Sequence, residues 1–492
     1  MDITFIGAGH VGLVSAACMT GAGHRVRVLD VDRERIEGLR DGFVPFLEPG
    51  LPALLDSGRT TGRLTFHDDP AEAIPGADLV FVCVGTLNGP EGEVDLSAVL
   101  AATATVAEHA TPGTVLVNRS TSPVGTAEYI RSVIDEVRGG DVAVAVNPEF
   151  LAEGTAVRDF LVPDRIVIGA FDPAATARLA EAYDPIVRRD LPAGLPDEVA
   201  TALARRDGPA PLVVVSTPTA ELTKYAANAF LAVKISFINE IAQIAEEVGA
   251  DVTEAARAVG LDHRIGPHFL GAGIGWGGSC FPKDIVALQG MAQTHGLEAR
   301  MLQAANEVNA EQRRWVTRGL QRHLKTLYGR RVGLLGVAFK PGTDDLRNAP
   351  ALEIASELAR LNVRVRAYDP AVDALPSEYE GILELVSSPD EAARGADAVV
   401  LITDWPEFAS LDLAALRAAM RTPLLLDGRN FLDPESAAEA GFVYLGVGRR
   451  EHTSLAFALA ANGAAPSNSN GRSNGTASRT DAQMLAAASQ TG

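Results

Sequence analysis

One cysteine lies in the stretch GWGGSCFPKD, residues 275–284, behind glycines and ahead of a proline, a lysine and an aspartate. Cys280 and Asp284 are four residues apart, so they would share one face of a helix that begins near the cysteine. The free N–H groups of a helix start, and a nearby lysine, favour a thiolate, and Pro282 suits the first helical turn. Cys280 is therefore a candidate nucleophile, and the alternative is a small apolar residue in a tight turn.

A second pair of chemically capable residues lies in ELTKYAANAF, residues 221–230. Lys224 and Asn228 are four residues apart and share one helix face. A lysine on a helix is usually a solvated charge, but the neighbours of Lys224 are mostly apolar or small. The pair can supply a cation and an amide to a buried site, with a solvated surface charge as the alternative.

A glycine pattern opens the chain. GAGHVG places Gly7, Gly9 and Gly12 in G-x-G-x-x-G spacing, after one strand pattern and before a helical one. These glycines permit the tight turn, the backbone approach and the close packing of a Rossmann pyrophosphate site. Asp30 follows Gly7 by 23 residues and suits the ribose hydroxyls of NAD. Arg35 would either pair with Asp30 or tolerate an extra phosphate, and a purely structural turn remains the alternative.

Polar residues follow later strand patterns, where a Rossmann sheet lines its crevice. Thr86 ends FVCVGT, Thr121 follows the next strand in NRSTSPVGT, and Glu149 and Glu153 lie four apart in NPEFLAEGT. The two carboxylates would serve acid–base chemistry or contact ribose. Alternatively they are solvated acidic residues at a helix start.

Apolar strand patterns alternate with helical ones in two parts of the chain, which predicts an α/β protein with parallel sheets covered on both faces. Two helical patterns, 220–259 and 283–328, separate these parts and indicate a connecting domain or a dimer interface. We therefore expect two Rossmann-like doubly wound parallel-sheet domains joined by a long-helix central domain. The expected boundaries are 1–215, 216–329 and 330–448, and the Ser-, Asn- and Gly-rich residues 462–492 are expected to be a disordered tail. The strands expected in the first part are Ile3–Ile6, Arg25–Asp30, Leu79–Val84, Val115–Asn118, Val142–Val146 and Ile166–Ile168.

Composition limits the classes of partner. The 492 residues carry a formal net charge of -20, which argues against a nucleic-acid surface. The three cysteines and nine histidines show no metal-ligand spacing. We see no signal peptide and no long apolar run, so we expect no membrane segment and a cytoplasmic location.

The chain resembles the UDP-glucose/GDP-mannose dehydrogenase family. The resemblance is carried over residues 1–448, in the family's order, by GAGHVGLV, EPGL, FVCVGT, STSPVGT, NPEFLAEG, ELTKYAANAFLAVKISFINEIA, GGSCFPKD, GVAFKPGTDDLRNAP and DGRN. It implies an NAD-dependent oxidation of a nucleotide-sugar alcohol to the aldehyde and then to the acid. GGSCFPKD and TKYAANAFLAVKISFINE are the most specific of these stretches.

The resemblance also implies roles for particular residues. Cys280 would attack the aldehyde, and the thiohemiacetal would become a thioester that water hydrolyses. Lys224 and Asn228 would stabilise the oxyanion, Asp284 with a water near Thr121 would be the general base, and Glu149 would activate the hydrolytic water. The NAD site would be lined by Gly7, Gly9, Val11, Gly12, Asp30, Arg35, Thr86, Thr121, Glu153, Lys283 and Arg347.

A UDP-sugar pocket is implied as well, with phosphate contacts from Lys340 and Arg429. In the family, an arginine matching Arg264 reaches the neighbouring subunit's substrate, which implies a homodimer or a larger homo-oligomer. The substrate-binding residues would be Phe150, Leu151, Ala152, Glu153, Lys224, Asn228, Arg264, Phe269, Leu270, Gly271, Ala272, Gly273, Gly277, Phe339, Lys340 and Arg429.

Three alternative functions stay open at this point. A dehydrogenase acting on GDP-mannose or a UDP-N-acetylhexosamine would use the same residues. A single-step hydroxyacid dehydrogenase would need Lys224 and Asn228 but no nucleophilic Cys280. A non-catalytic nucleotide-sugar sensor would keep the glycines and Lys340 without a reactive thiol.

Overall fold

The computed structural model describes residues 1–89, 92–192 and 194–453. Two α/β units, each with its own sheet, are joined by a group of long helices, so the predicted fold class is confirmed. The domain boundaries given above stay a prediction, and the predicted tail 462–492 lies outside the described residues. Within these ranges no helix is both long and apolar enough to cross a bilayer.

The N-terminal sheet has eight strands in the order β3-β2-β1-β4-β5-β6-β7-β8. Its central strands β4 and β5 are fully buried and, apart from Asn118, apolar, as expected for a sheet covered on both faces. Short β3 and β8 were not among the expected strands. The strands are β1 (Asp2–Ile6), β2 (Arg25–Leu29), β3 (Leu64–His67), β4 (Leu79–Val82), β5 (Val115–Asn118), β6 (Ala143–Val146), β7 (Ile166–Ala170) and β8 (Leu212–Val215).

One pairing in this sheet differs from the expected parallel arrangement. Strands β6 and β7 are antiparallel, with Ala145 opposite Ala170, while β7 and β8 are parallel to each other. The helix between β6 and β7 has six residues, about 9 Å of rise, too short to carry the chain back along the sheet. The chain therefore reverses there instead of making a parallel crossover.

Helices cover both faces of this sheet. The insertion 188–211, read from its composition as a surface loop or a short extra helix, contains the eight-residue α9. The helices are α1 (His10–Gly21), α2 (Arg33–Asp41), α3 (Leu51–Thr60), α4 (Pro70–Ala73), α5 (Ser97–His109), α6 (Thr126–Arg138), α7 (Ala156–Leu161), α8 (Pro173–Arg188) and α9 (Asp197–Ala204).

Four helices form the centre of the molecule: α10 (Thr217–Val248), α11 (Val252–Gly260), α12 (Phe281–Thr294) and α13 (Arg300–Leu324). Each of the two predicted helical stretches is broken once. Helix α10 ends where Gly249 adopts φ +70°. The second stretch divides into α12 and α13 near Gly296, which also has φ +70°. Glycine adopts this left-handed conformation without a steric penalty, so the chain turns at these points.

The C-terminal sheet is parallel throughout, in the order β11-β10-β9-β12-β13-β14. Single 3₁₀ turns lie at Ser377–Tyr379 and Pro406–Ser410. The strands are β9 (Arg331–Leu335), β10 (Arg364–Tyr368), β11 (Leu383–Leu385), β12 (Ala398–Leu401), β13 (Leu424–Asp427) and β14 (Val443–Gly446). The helices are α14 (Pro350–Arg360), α15 (Pro389–Ala393), α16 (Leu413–Ala419) and α17 (Pro434–Glu439).

Candidate active site

The glycine turn after β1 has the geometry of a dinucleotide site. Gly7 adopts φ +106°, and a Cβ on it would meet the Cys83 carbonyl. A Cβ on Gly12 would meet the Gly7 carbonyl, so both positions require glycine for packing. A Cβ on Gly9 would find no atom within 4 Å, so this glycine faces open space where a pyrophosphate can approach the helix start. Val11 is half-buried against the core.

Asp30 directly follows β2, beside this turn, and is buried. Its Oδ2 accepts the Ala8 N–H at 2.6 Å, and its Oδ1 accepts the Asp32 N–H at 2.9 Å. Arg35 donates to Oδ2 at 3.4 Å, so the arginine pairs with Asp30 in this structure. The carboxylate both fixes the glycine turn and lies where the ribose of a bound NAD would be recognised.

Two threonines at the strand ends are joined. The buried Thr86 donates its hydroxyl to the Thr121 carbonyl at 2.8 Å. This bond links the loop after β4 to the loop after β5, the edge at which open α/β sheets bind ligands. Both predicted residues therefore lie at the crevice edge of the sheet.

Cys280 is the N-cap residue of α12, with Pro282 in the first turn, so the predicted helix start is confirmed. The expectation of a favoured thiolate is wrong for the free protein, because burial raises the pKa of the Cys280 thiol although the Lys224 charge lowers it. The Ser279 hydroxyl lies 3.5 Å from Sγ. The nucleophile must therefore lose a proton before it reacts.

Lys224 is buried and forms an ion pair with Glu149, Nζ to Oε1 at 2.7 Å. Burial alone would lower the pKa of Lys224, but Glu149, Cys280 and Asp284 outweigh it and raise that pKa. Burial likewise opposes ionisation of Glu149, but Lys224 and the Leu151 N–H hold its pKa below the usual value. Lys224 and Glu149 are therefore both charged. Because Lys224 is buried, it is not the solvated surface charge that was the alternative.

A second polar group joins α10 to α12. Asn228 donates Nδ2 to Asp284 Oδ2 at 2.7 Å, and Lys283 donates Nζ to Asp284 Oδ1 at 2.6 Å. Asp284 and Asn228 are buried. Because each oxygen of the Asp284 carboxylate accepts a hydrogen bond, the carboxylate is held in place. Lys283, expected on the cofactor side, is here paired with the neighbouring aspartate.

Glu153 is linked to the cysteine through Ser279. Its Oε1 accepts the Ser279 hydroxyl at 3.0 Å and contacts Arg347 Nη2 at 3.3 Å. Its Oε2 is buried and accepts no hydrogen bond among the described residues. Burial and the facing Asp345 carboxylate raise the pKa of Glu153.

The loop after β6 carries the predicted Phe150, Leu151 and Ala152. The Phe150 ring lies under Arg165, with Cζ 3.7 Å from the ring centroid, and Lys224 Nζ lies 5.9 Å from it. The Leu151 N–H binds Glu149 and the Ala152 N–H binds Asp159 at 3.2 Å. The loop's conformation is thus fixed beside the ion pair.

Residues 270–280 form what we call the cysteine loop, and several domains hold it. Its Gly273 N–H donates to Asn239 on α10 at 2.8 Å. Arg429, after β13, donates to the Gly275 carbonyl at 3.1 Å and to the Ile402 carbonyl at 2.8 Å. The remaining predicted loop residues are Phe269 (φ +62°), buried Leu270 and Ala272, Gly271 with open space around it, and Gly277, packed on the Asn348 carbonyl.

Two predicted cations differ in their surroundings. Lys340 Nζ lies 5.4 Å from the Phe339 ring centroid, and within the described ranges it has no ion-pair partner. Burial lowers the pKa of Lys340, so an anionic ligand there would be favourable. Arg264 is exposed and paired with Asp262.

The sequence interpretation missed three residues of this cluster. Ser279 stands next to the cysteine, and its position could have suggested a thiol partner. Arg165 and Asp345 carry no local signal, because only the fold brings them to Phe150 and Glu153. Over the described ranges no group of three or more His, Cys, Asp or Glu residues could hold a metal ion.

A dinucleotide turn, a parallel strand edge and a cysteine beside a buried lysine define an NAD-dependent oxidoreductase. Three models of one family match the chain: the NAD binding domain at residues 1–187, the central domain at 218–311 and the UDP binding domain at 333–434. The chain therefore belongs to the UDP-glucose/GDP-mannose dehydrogenase family.

Individual relatives agree with this assignment. A UDP-glucose 6-dehydrogenase of Pseudomonas aeruginosa is 44% identical over 91% of the chain and 98% of its own length. One of Rhizobium meliloti is 43% identical over 91% of the chain and 100% of its own length. The solved UDP-glucose dehydrogenase of Pyrobaculum islandicum superposes with a TM-score of 0.80 at 36% identity, covering 91% of this chain and 98% of that one.

Proposed function

We propose that this chain oxidises UDP-glucose at C6 to UDP-glucuronate in two successive NAD-dependent steps. The observation that carries the proposal is the buried cluster around Cys280, in which Lys224 pairs with Glu149 and Asn228 pairs with Asp284. A single alcohol oxidation needs no nucleophilic thiol, whereas oxidation of an aldehyde through a thioester does. The choice of UDP-glucose is supported by relatives that are 44% and 43% identical.

NAD would be held at the glycine turn, with Gly9 open to the pyrophosphate and Asp30 toward the ribose. When bound, NAD accepts the hydride from C6 at each oxidation. Thr86, Thr121 and Glu153 lie at the same crevice and would complete its contacts. Lys340 has no ion pair in the described part of the chain and would meet the diphosphate of the nucleotide sugar.

The protein groups around the sugar have separate roles in this proposal. Asp284, held by Asn228 and Lys283, takes the proton of the C6 hydroxyl in the first oxidation. Cys280 then attacks the aldehyde carbon to give a thiohemiacetal, and Lys224 stabilises its oxyanion.

Loss of hydride leaves a thioester on Cys280. Glu149, kept ionised by Lys224, takes a proton from the water that hydrolyses this thioester. Release of the acid restores the thiol for the next turnover.

The test is to supply NAD with UDP-glucose and count NADH against sugar consumed. About two NADH per sugar supports the proposal, and about one contradicts oxidation through a thioester. Parallel assays with GDP-mannose and a UDP-N-acetylhexosamine decide between substrates, and a higher kcat/KM with either would replace UDP-glucose in the proposal.

A homodimer is part of the proposal. Helix α10 exposes a row of apolar side chains at Phe230, Phe237, Ile244 and Val248, and a spacing of seven and four residues places them along one stripe. A second copy of the chain would cover this stripe and could bring the exposed Arg264 toward its neighbour's site. Phe237→Glu should yield monomers in light scattering, and an unchanged mass would contradict this interface.

The cytoplasm is the location we propose. The three cysteines, Cys18, Cys83 and Cys280, are free thiols, as is usual in a reducing compartment. Fractionation of cells that produce the protein would test this.

A further inference from the structure

Three carboxylates surround Cys280, and the structure distinguishes them as acceptors of its proton. Glu149 is bound by Lys224 and the Leu151 N–H, which keep it ionised. Both oxygens of Asp284 already accept hydrogen bonds from Lys283 and Asn228. Neither carboxylate is hydrogen-bonded to Cys280 or to Ser279 among the described residues, so neither is connected to the thiol, and both stay available for the proton transfers from the sugar hydroxyl and from water.

Glu153 differs from these two. Its Oε2 is buried and accepts no hydrogen bond within the described ranges, and it faces the carboxylate of Asp345. Two facing carboxylates that are both ionised repel each other. A proton on Glu153 would therefore relieve the repulsion between Glu153 and Asp345.

A hydroxyl connects this carboxylate to the thiol. Ser279 Oγ lies 3.5 Å from Cys280 Sγ and 3.0 Å from Glu153 Oε1, to which it donates. The hydroxyl can thus accept from the thiol while it donates to the carboxylate. The three groups form a continuous path from sulfur to Glu153.

We propose that Ser279 relays the Cys280 proton to Glu153. The S–H proton passes to Ser279 Oγ as the Ser279 O–H proton passes to Glu153 Oε1, and the S–H electron pair stays on sulfur. Thiol and carboxylate become thiolate and carboxylic acid, with no change in net charge. The inference rests on the proposed function, because the relay matters only if Cys280 is the nucleophile.

Charged groups on each side of the path favour this transfer. Burial raises the pKa of the thiol, so an internal acceptor is needed, while Lys224 stabilises the thiolate once formed. After transfer Ser279 donates to the thiolate and accepts from protonated Glu153, so both of its hydrogen bonds are kept. The other ionisable groups that act on the thiol or on Glu153 are Glu149, Asp284, Lys340, Arg347, Asp345 and His10.

The test is the rate of Cys280 alkylation by iodoacetamide across pH, followed by mass spectrometry of the cysteine-containing peptide. Internal transfer conserves protons, so the wild-type rate should level off between about pH 6 and about pH 8. In Glu153→Gln the thiol must lose its proton to solvent, so the rate should fall about tenfold per pH unit below the thiol pKa. Cys18 and Cys83 are buried and are monitored separately.

A purely electrostatic role for Glu153 gives the opposite result. Removing a negative charge favours the thiolate, so Glu153→Gln would then react faster than wild type at pH 6. That result, or parallel profiles in the two proteins, overturns the relay. Asp159→Asn is the matched control, because it removes a nearby charge whose hydrogen bonds go to Ala152, Thr155 and Arg158 and not to Cys280, Ser279 or Glu153, and it should retain the level region.

Ser279 variants test the path if Glu153→Gln folds poorly. Ser279→Ala should lower the level rate at pH 7 by about tenfold, because the thiolate loses a hydrogen bond to a charged group, and Ser279→Thr should restore it. Equal rates in all three proteins overturn the relay. Alkylation needs neither NAD nor sugar, so this outcome is distinct from a failure of the NADH count.

Discussion

The Asn228 side-chain amide donates to the Asp284 carboxylate at 2.7 Å, between two residues 56 positions apart in the chain. The bond joins the buried face of α10 to the first turn of α12, directly after the cysteine. Asp284 therefore has a fixed orientation before any substrate binds. An acid–base group held in this way avoids much of the cost of ordering during the reaction.

Asn228→Ala should lower kcat about 10- to 100-fold with little change in the KM for NAD, because Asp284 loses one orienting donor. Asn228→Asp should be worse at neutral pH, since a second carboxylate would face Asp284 and raise the pKa of one of them. Steady-state kinetics across pH would measure both effects. Glu240→Gln, on the exposed side of α10, is the control, and an equal loss there would contradict the assignment.

Cys280→Ser should block formation of the acid while NAD affinity stays within about twofold of wild type, because the thiol acts only on the sugar carbon. Product analysis and calorimetric titration with NAD would measure the two quantities. Full turnover by this variant would remove Cys280 from the mechanism.

Asp30→Ala should weaken NAD binding by about tenfold, since a hydrogen bond between ribose and a charged acceptor is lost. Some thermal stability should be lost with it, because the Ala8 and Asp32 N–H groups lose their acceptor. Asp32→Ala, which removes the cap of α2 and the ion pair with Arg35 but leaves the Asp30 carboxylate in place, is the control. Unchanged NAD affinity in Asp30→Ala would refute the ribose contact.

Glu221 should make stability depend on pH. Burial raises the pKa of this carboxyl from 4.5 to about 7, although the Gly125 and Ala127 N–H groups donate to it at 2.8 Å. Between these two values the folded chain keeps a proton that the unfolded chain releases, so the free energy of unfolding due to Glu221 falls as pH rises. Glu221→Gln lacks this titration.

Between about pH 5 and about pH 8, the wild-type protein should therefore lose stability that Glu221→Gln does not lose. The melting temperature of the variant should rise relative to that of wild type over this range. Differential scanning fluorimetry in matched buffers would measure it. The same difference at both pH values would show that Glu221 does not titrate in this range.

Local patterns were enough for much of the fold. The glycine turn, the apolar strands and the α10 stretch each carry their signal in neighbouring residues, and the structure has them where the patterns indicate. Strand β3, with the sequence LTFH, is as long as β4 but alternates apolar with polar residues, so it lacks the continuous apolar run of β4. The antiparallel pairing of β6 with β7 depends on how the chain reverses around α7, which strand patterns do not encode.

The site was predictable where adjacent residues or a helical repeat carry it, as for Cys280 with Asp284 and Lys224 with Asn228. It was not predictable where packing decides. The Ser279–Glu153 bond joins residues 126 positions apart, and the raised thiol pKa reflects burial by the folded chain.

The cysteine loop is held from three directions: by Asn239 in the central helices, by Arg429 after the C-terminal sheet, and by Glu153 beside the N-terminal sheet. Each of these parts contributes a hydrogen bond to the loop. The reactivity of Cys280 is consequently a property of the assembled chain, and the thiol acts as a reporter of whether all three parts are in place. A separately produced N-terminal or central piece would carry catalytic side chains without a correctly positioned nucleophile. Loss of contact between the domains should therefore abolish activity before any helix or sheet unfolds.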